Sequence, residues 1–178
     1  MNKLLGGLCL LFSGLVCQSA DANQFIVNGG GGEQPNANQS NRSYGADLVL
    51  WRKSRSHRQE LFIGVGYTYL GTDTLDHDTV RVWTVFPQLN LYAPERNGVL
   101  PYFFVRALSP SYLSSTQYGE REQAKQFAFQ AQIGAGLQFG ANKQWLVSLS
   151  YKHFSNANLF QPNDGFDIPV LLNIGVQW

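Results

Sequence analysis

The chain has 178 residues and a formal net charge of +1, from 13 Lys and Arg against 12 Asp and Glu. That length favours a single domain, and a near-neutral balance gives no electrostatic reason to expect nucleic acid as a partner. Beyond the N-terminus there is no run of 18 or more apolar residues, so no transmembrane helix is expected in the body of the chain.

The N-terminus carries a short apolar run with recognisable flanks. Lys3 supplies a positive n-region, Leu4 to Val16 an h-region too short to span a bilayer, and Ala20-Asp21-Ala22 a cleavage site of small residues. Residues 1–22 therefore read as a secretory signal peptide, and residues 23–178 as the mature domain. A lipoprotein signal ending at Cys17 is the rival, disfavoured by the bulky Val16 before it. Cleavage after Ala22 removes Cys9 and Cys17, so the exported domain has no disulfide to rely on.

From Asn23 onward the chain alternates with a period of two, as half-buried strands do. Strands are expected at 24–30, 43–52, 60–70, 80–92, 100–109, 126–139, 144–155 and 168–178. In the sixth, Phe127, Phe129, Ala131, Ile133, Ala135, Leu137 and Phe139 alternate with Gln, Ala and Gly. Most of these runs reach about 10 residues, the length a tilted strand needs to cross a hydrocarbon core. An even strand count, an export signal and one greasy face per strand predict an all-β fold: an eight-stranded antiparallel transmembrane β-barrel of the outer membrane. The other face carries Gln, Thr, Ser, Asn, Gly and Lys, which suits a polar interior; a soluble lipocalin-like barrel would reverse the two faces.

The last strand, Ile168 to Trp178, stops on an aromatic residue and resembles the C-terminal strand by which outer-membrane barrels are recognised for assembly. With both termini on the periplasmic side, 53–59, 93–99 and 140–143 become short turns. The segments 31–42, 71–79, 110–125 and 156–167 become the longer outer loops. Trp145 and Trp178 then fall at the periplasmic interface, where aromatic belts sit.

Several local features read as structure rather than chemistry. Gly29-Gly30-Gly31-Gly32 lacks the Lys and helix of a phosphate-binding loop and reads as flexible loop. Asp73, Asp76, His77 and Asp78 fit no established metal-ligand spacing, and no metal or other cofactor is expected. The cluster Arg52, Lys53, Arg55, His57 and Arg58 is assigned to a solvated turn beside anionic headgroups.

The segment 151–167 carries chemistry. Trp145, Val147, Leu149 and Tyr151 mark the lipid face of the seventh strand, and His153 and Ser155 continue that face. Ionisable groups there are costly and functional by default. Residues i and i+2 of a strand point the same way, so His153 can serve Ser155 as general base. Asp167, at the start of the returning strand, can orient the imidazole, and Asn156 with main-chain amides of the Pro162–Gly165 turn can supply oxyanion donors.

His153-Phe154-Ser155-Asn156-Ala157 followed by Gln161-Pro162-Asn163-Asp164-Gly165 resembles the signature of the outer-membrane lipid A 3-O-deacylases of the PagL family. The resemblance implies an eight-stranded barrel that hydrolyses the acyl ester at position 3 of lipid A without a metal. It implies His153 as base, Ser155 as nucleophile, and Asn156 with the main chain around Asn163 as oxyanion site. Two positions depart from the pattern. Asp167 stands where the acid of the family is Glu, and Asn158 where Gly is frequent. Alternation counted back from Trp178 also turns Asp167 inward, so either a bulge near Pro169 re-aims it or Asp164 is the acid.

The sequence thus favours a serine esterase acting on lipopolysaccharide at the outer leaflet. Two alternatives remain, a non-catalytic barrel for adhesion or membrane integrity and a soluble lipid-binding barrel. A monomer and a homodimer are both compatible with the sequence. Of the rim cations Arg42, Arg81, Arg121 and Lys125, Arg81 is the expected phosphate contact, because its outward parity allows bidentate pairing.

Overall fold

The computed structural model describes residues 24–178. Its strands are β1 (Gln24–Glu33), β2 (Ser40–Ser56), β3 (Gln59–Thr72), β4 (Thr79–Tyr92) and β5 (Leu100–Leu113). These are followed by β6 (Gln117–Tyr118), β7 (Arg121–Glu122), β8 (Phe127–Phe139), β9 (Trp145–Ser155) and β10 (Phe166–Gln177). The eight long strands form one closed barrel in the order β1-β10-β9-β8-β5-β4-β3-β2, with every neighbour antiparallel. Closure leaves no strand edge unpaired, which is what a sheet needs in a medium without water. The eight-stranded barrel expected from alternation is therefore the fold, while the proposed signal peptide lies outside the described residues.

The two faces divide as expected. Phe25, Val27, Leu48, Val65, Trp83, Val85, Ile133, Leu149, Leu172 and Ile174 are exposed on the outer wall. Gln24, Asn28, Thr68, Gln88, Gln132, Ser148, Lys152 and Asn173 are buried inside. The interior is not polar throughout, however. An apolar cluster that includes Leu70, Val82, Leu113, Tyr118, Phe154, Phe166 and Ile168 fills the loop end, and Tyr92, Tyr102 and Phe104 fill the turn end. Between them Arg106 donates to Asp47 at 2.7 Å and to Gln88 at 2.6 Å, with its guanidinium over Phe86. The lumen is a packed core.

Three boundaries differ from those expected. The strands β2 and β3 extend into 53–59 and leave only a two-residue turn at His57-Arg58, so Arg52, Lys53 and Arg55 are strand residues; Arg52 pairs with Glu60 across the hairpin. The glycine run is not loop: Gly29 to Gly32 lie in β1 and pair with β2, and Gly29 to Gly31 pair with β10 as well. The third outer loop contains the small hairpin β6–β7, whose strands are too short for periodicity to reveal.

Candidate active site

The site begins with an irregularity in β10. Ile168 pairs with Lys152 and Leu171 with Ser150, so three steps on β10 match two on β9, and one extra residue sits at Pro169-Val170. A bulge of one residue reverses side-chain parity beyond it. Asp167 consequently shares the outward face of its partner His153, although strict alternation from Trp178 sends it inward. Proline has no N–H for a ladder and suits a bulge.

The bulge has room because its neighbour has no side chains. A Cβ on Gly30 would overlap the Val170 carbonyl, and one on Gly32 would press on the Pro169 ring at 3.0 Å. Gly30 and Gly32 thus let the bulged strand approach closely, while Gly31 allows the same of β2 at Asn41 O.

His153 Nδ1 lies 2.8 Å from Asp167 Oδ1, with the imidazole partly exposed and the carboxylate buried. The same oxygen accepts the Tyr151 hydroxyl, and Oδ2 accepts Gln34 Nε2 at 2.8 Å. Three donors on one carboxyl group suit its ionised form. An ionised Asp167 requires the proton on Nδ1 of a neutral imidazole, which leaves Nε2 as its acceptor nitrogen. Gly165 packs on this ring, where a Cβ would overlap His153 Cε1.

Ser155 is the last residue of β9, two positions beyond His153 on the same face, and pairs with Phe129 of β8. Among the described residues His153 and Ser155 share no hydrogen bond; such contacts are commonly long until substrate is bound.

The loop 156–165 is shaped by Asn156, which is fully buried. Its Nδ2 donates to Phe160 O at 2.9 Å and Pro162 O at 3.3 Å, and its main-chain N–H donates to Asn163 Oδ1 at 2.7 Å. Asn163 Nδ2 in turn donates to Asn158 Oδ1 at 2.9 Å. The Asn156 side chain expected as an oxyanion donor therefore already bonds within the loop, as does the Asn163 side chain, whereas the expectation around Asn163 concerned main-chain groups. The main-chain N–H groups of Ala157, Asn158 and Asn163 make no such bond among the described residues. Ala157 and Asn158 have φ of 55° and 60°, and Leu159 N–H closes the turn on Asn156 O at 3.1 Å. A turn with two left-handed central residues favours Gly and Asn, which explains why Asn158 is accepted there.

Asp164 is remote in bonding terms from His153. Its Oδ2 accepts Glu122 N–H at 3.1 Å, and its own N–H donates to Glu122 O at 2.9 Å. The hairpin β6–β7 is thereby tied to the site loop. Arg121 donates to Gly165 O at 3.1 Å and Pro35 O at 3.2 Å. Tyr118 packs edge-on against Phe166 and donates to Gly71 O at 2.7 Å; burial pushes its phenol pKa up.

Arg81 is exposed at the start of β4, three strands from β9 around the barrel, so the structure does not bring it to the site. Two other rim cations do lie against the site loop: Arg121, through Gly165 O, and Lys125, with Nζ 3.9 Å from the centre of the Phe160 ring. Among the described residues no group of three or more His, Cys, Asp and Glu is placed to hold a metal.

A family model for lipid A 3-O-deacylase (PagL) matches residues 40–176. The chain belongs to that family. It is 29% identical over 169 residues to the lipid A deacylase PagL of Pseudomonas aeruginosa, an alignment covering 94% of each protein. It is 30% identical over 91 residues to the lipid A deacylase PagL of Bordetella bronchiseptica, covering 49% of this chain and 47% of that one. Its fold is similar to the crystal structure of the outer membrane enzyme PagL, with a TM-score of 0.64 at 21% identity over 85% of this chain and 98% of that one. It is also similar to Neisserial surface protein A, with a TM-score of 0.58 at 11% identity over 88% and 96%. The PagL family thus accounts for the barrel, an outer-membrane fold. Asp167 reaches His153 from its bulged strand.

Sequence reasoning missed Gln34, Asn41 and Tyr151. Gln34 and Asn41 lay in an expected loop, where an amide side chain carries no signal of its own. Tyr151 read only as part of the lipid-facing stripe.

Proposed function

We propose that this protein is an outer-membrane serine esterase that removes the 3-O-linked acyl chain of lipid A in lipopolysaccharide. The observation that carries the reading is the His153–Asp167 pair on the outward face of the barrel at its loop end, with Ser155 on the same face of the same strand. A soluble hydrolase would have its site in an aqueous cleft. Here it lies where the wall meets lipid, so the scissile ester is reached without leaving the membrane.

In the first half-reaction His153 Nε2 takes the Ser155 proton as Oγ attacks the ester carbonyl. The tetrahedral oxyanion is met by main-chain N–H groups of the loop 156–165, those of Ala157, Asn158 and Asn163 making no other hydrogen bond among the described residues. Asn156 contributes by holding that loop in shape. Asp167 holds the ring and stabilises its protonated form, the imidazolium passes its proton to the departing sugar oxygen, and the acyl group remains on Ser155. In the second half-reaction His153 deprotonates a water, which attacks the acyl-enzyme carbonyl; the imidazolium then returns its proton to the departing Ser155 Oγ, releasing the fatty acid and restoring the free hydroxyl. No step requires a metal.

The test is mass spectrometry of lipid A from a lipopolysaccharide-bearing host that expresses the protein. The expected result is loss of one ester-linked chain with wild type and none with Ser155→Ala or His153→Ala, both still inserted as folded barrels. Unchanged lipid A with folded wild type, or full activity in folded Ser155→Ala, overturns the reading.

A further inference from the structure

Gln34 follows the last residue of β1 and is 2% exposed. A buried side-chain amide must place its two NH donors and its carbonyl against partners, or the fold loses on the order of 1–3 kcal/mol per orphaned group. The orientation of Gln34 is fixed by main-chain donors, not by choice. Asp167 N–H donates to Gln34 Oε1 at 2.9 Å, so Nε2 must be the atom that meets Asp167 Oδ2 at 2.8 Å. One amide therefore grips both the backbone and the carboxylate of Asp167.

The same orientation follows from the opposite end. Glu120 N–H donates to Gln39 Oε1 at 2.8 Å, so Gln39 presents Nε2 to Asn41 Oδ1 at 2.8 Å. Asn41 then presents Nδ2 to Gln34 Oε1 at 2.7 Å and to the Asp167 carbonyl at 2.8 Å. A buried relay of three amides runs from the β6–β7 hairpin to Asp167, and Gln34 is its last donor. Oδ2 of Asp167 is held by this relay while Oδ1 faces His153.

We propose that Gln34 is a positioning residue for catalysis, fixing the Asp167 carboxylate so that Oδ1 stays on His153 Nδ1. The inference rests on the reading of Asp167 as the acid of the deacylase site, and it predicts coupling between the two positions. Gln34 makes no hydrogen bond to His153 or Ser155, so its removal is expected to act on turnover through Asp167.

A double-mutant cycle on purified protein in detergent, with lipid A as substrate, tests this. Gln34→Ala is expected to lower kcat about 10-fold or more with KM changed less than about 2-fold. In an Asp167→Asn background the same substitution is expected to change kcat less than about 2-fold, because the carboxylate it positions is gone. Gln34→Met, which keeps the shape without the polar atoms, supplies the cycle if Gln34→Ala does not fold, and electrophoretic mobility before and after heating reports the folded barrel. Equal losses in both backgrounds make Gln34 merely structural and overturn the proposal, as does undiminished kcat in the single variant. Near-normal activity of Asp167→Asn alone overturns the reading of the acid beneath it, and is distinguished by that variant.

Discussion

At the scale of residues, the two aspartates that the sequence left open are separated by what they touch. Asp167 accepts His153, Tyr151 and Gln34, whereas Asp164 accepts a main-chain N–H of β7. Asp167→Asn replaces an acceptor with an amide that disfavours the Nδ1–H tautomer, and is expected to lower kcat by about 10²–10⁴-fold. Asp164→Asn keeps an oxygen for Glu122 and is expected to cost less than about 3-fold. Initial rates of the two purified variants decide the ranking, and a reversed order moves the acid to Asp164. The shared face of His153 and Ser155 was legible because residues two apart on a strand point the same way. The aim of Asp167 was legible only as a choice, since alternation specifies parity until a bulge resets it.

At the scale of elements, the wall was readable and its exceptions were not. Alternation exposes the long strands because each must bury one face and show the other to lipid, but a two-residue hairpin such as β6–β7 is shorter than any period. The run Gly29 to Gly32 misled for a physical reason: glycine weakens strands, and only close neighbours, the bulged β10 at Gly30 and Gly32 and β2 at Gly31, make its missing side chains an advantage. Gly30→Ala is expected to force β1 and β10 apart, because its Cβ would overlap the Val170 carbonyl. The expected outcome is a lower thermal midpoint together with lost turnover, read by circular dichroism and by release of fatty acid. A variant with both unchanged would show that the bulge does not depend on this contact. Around the rim, Lys125→Ala is expected to raise KM a few-fold by removing a cation beside the site loop, and Arg81→Ala, three strands away, to leave it unchanged. Kinetics on lipid A over a range of surface concentrations separates the two.

At the scale of the whole molecule, the barrel separates its chemistry from its stability. The site sits on the outer wall at the loop end, while the packed interior holds the buried pair Arg106–Asp47 between two apolar ends. Such a pair adds little over a well-packed apolar replacement, yet removing one partner strands the other charge at a cost of roughly 3–5 kcal/mol. Asp47→Ala leaves the Arg106 guanidinium with Gln88 Oε1 and the face of Phe86 only, an incomplete set for a group with five donors. Its loss is expected to lower the denaturant midpoint of the barrel substantially, while a variant that replaces both residues with apolar side chains of similar volume recovers most of it. Activity per folded molecule should stay within about 2-fold of wild type in both, because neither residue hydrogen-bonds to His153, Ser155 or Asp167. Urea titration followed by electrophoretic mobility, with rates normalised to the folded fraction, measures the two quantities independently. A selective loss of rate in the folded fraction would mean that the interior pair reaches the site through the buried Lys152, which adjoins His153 in β9.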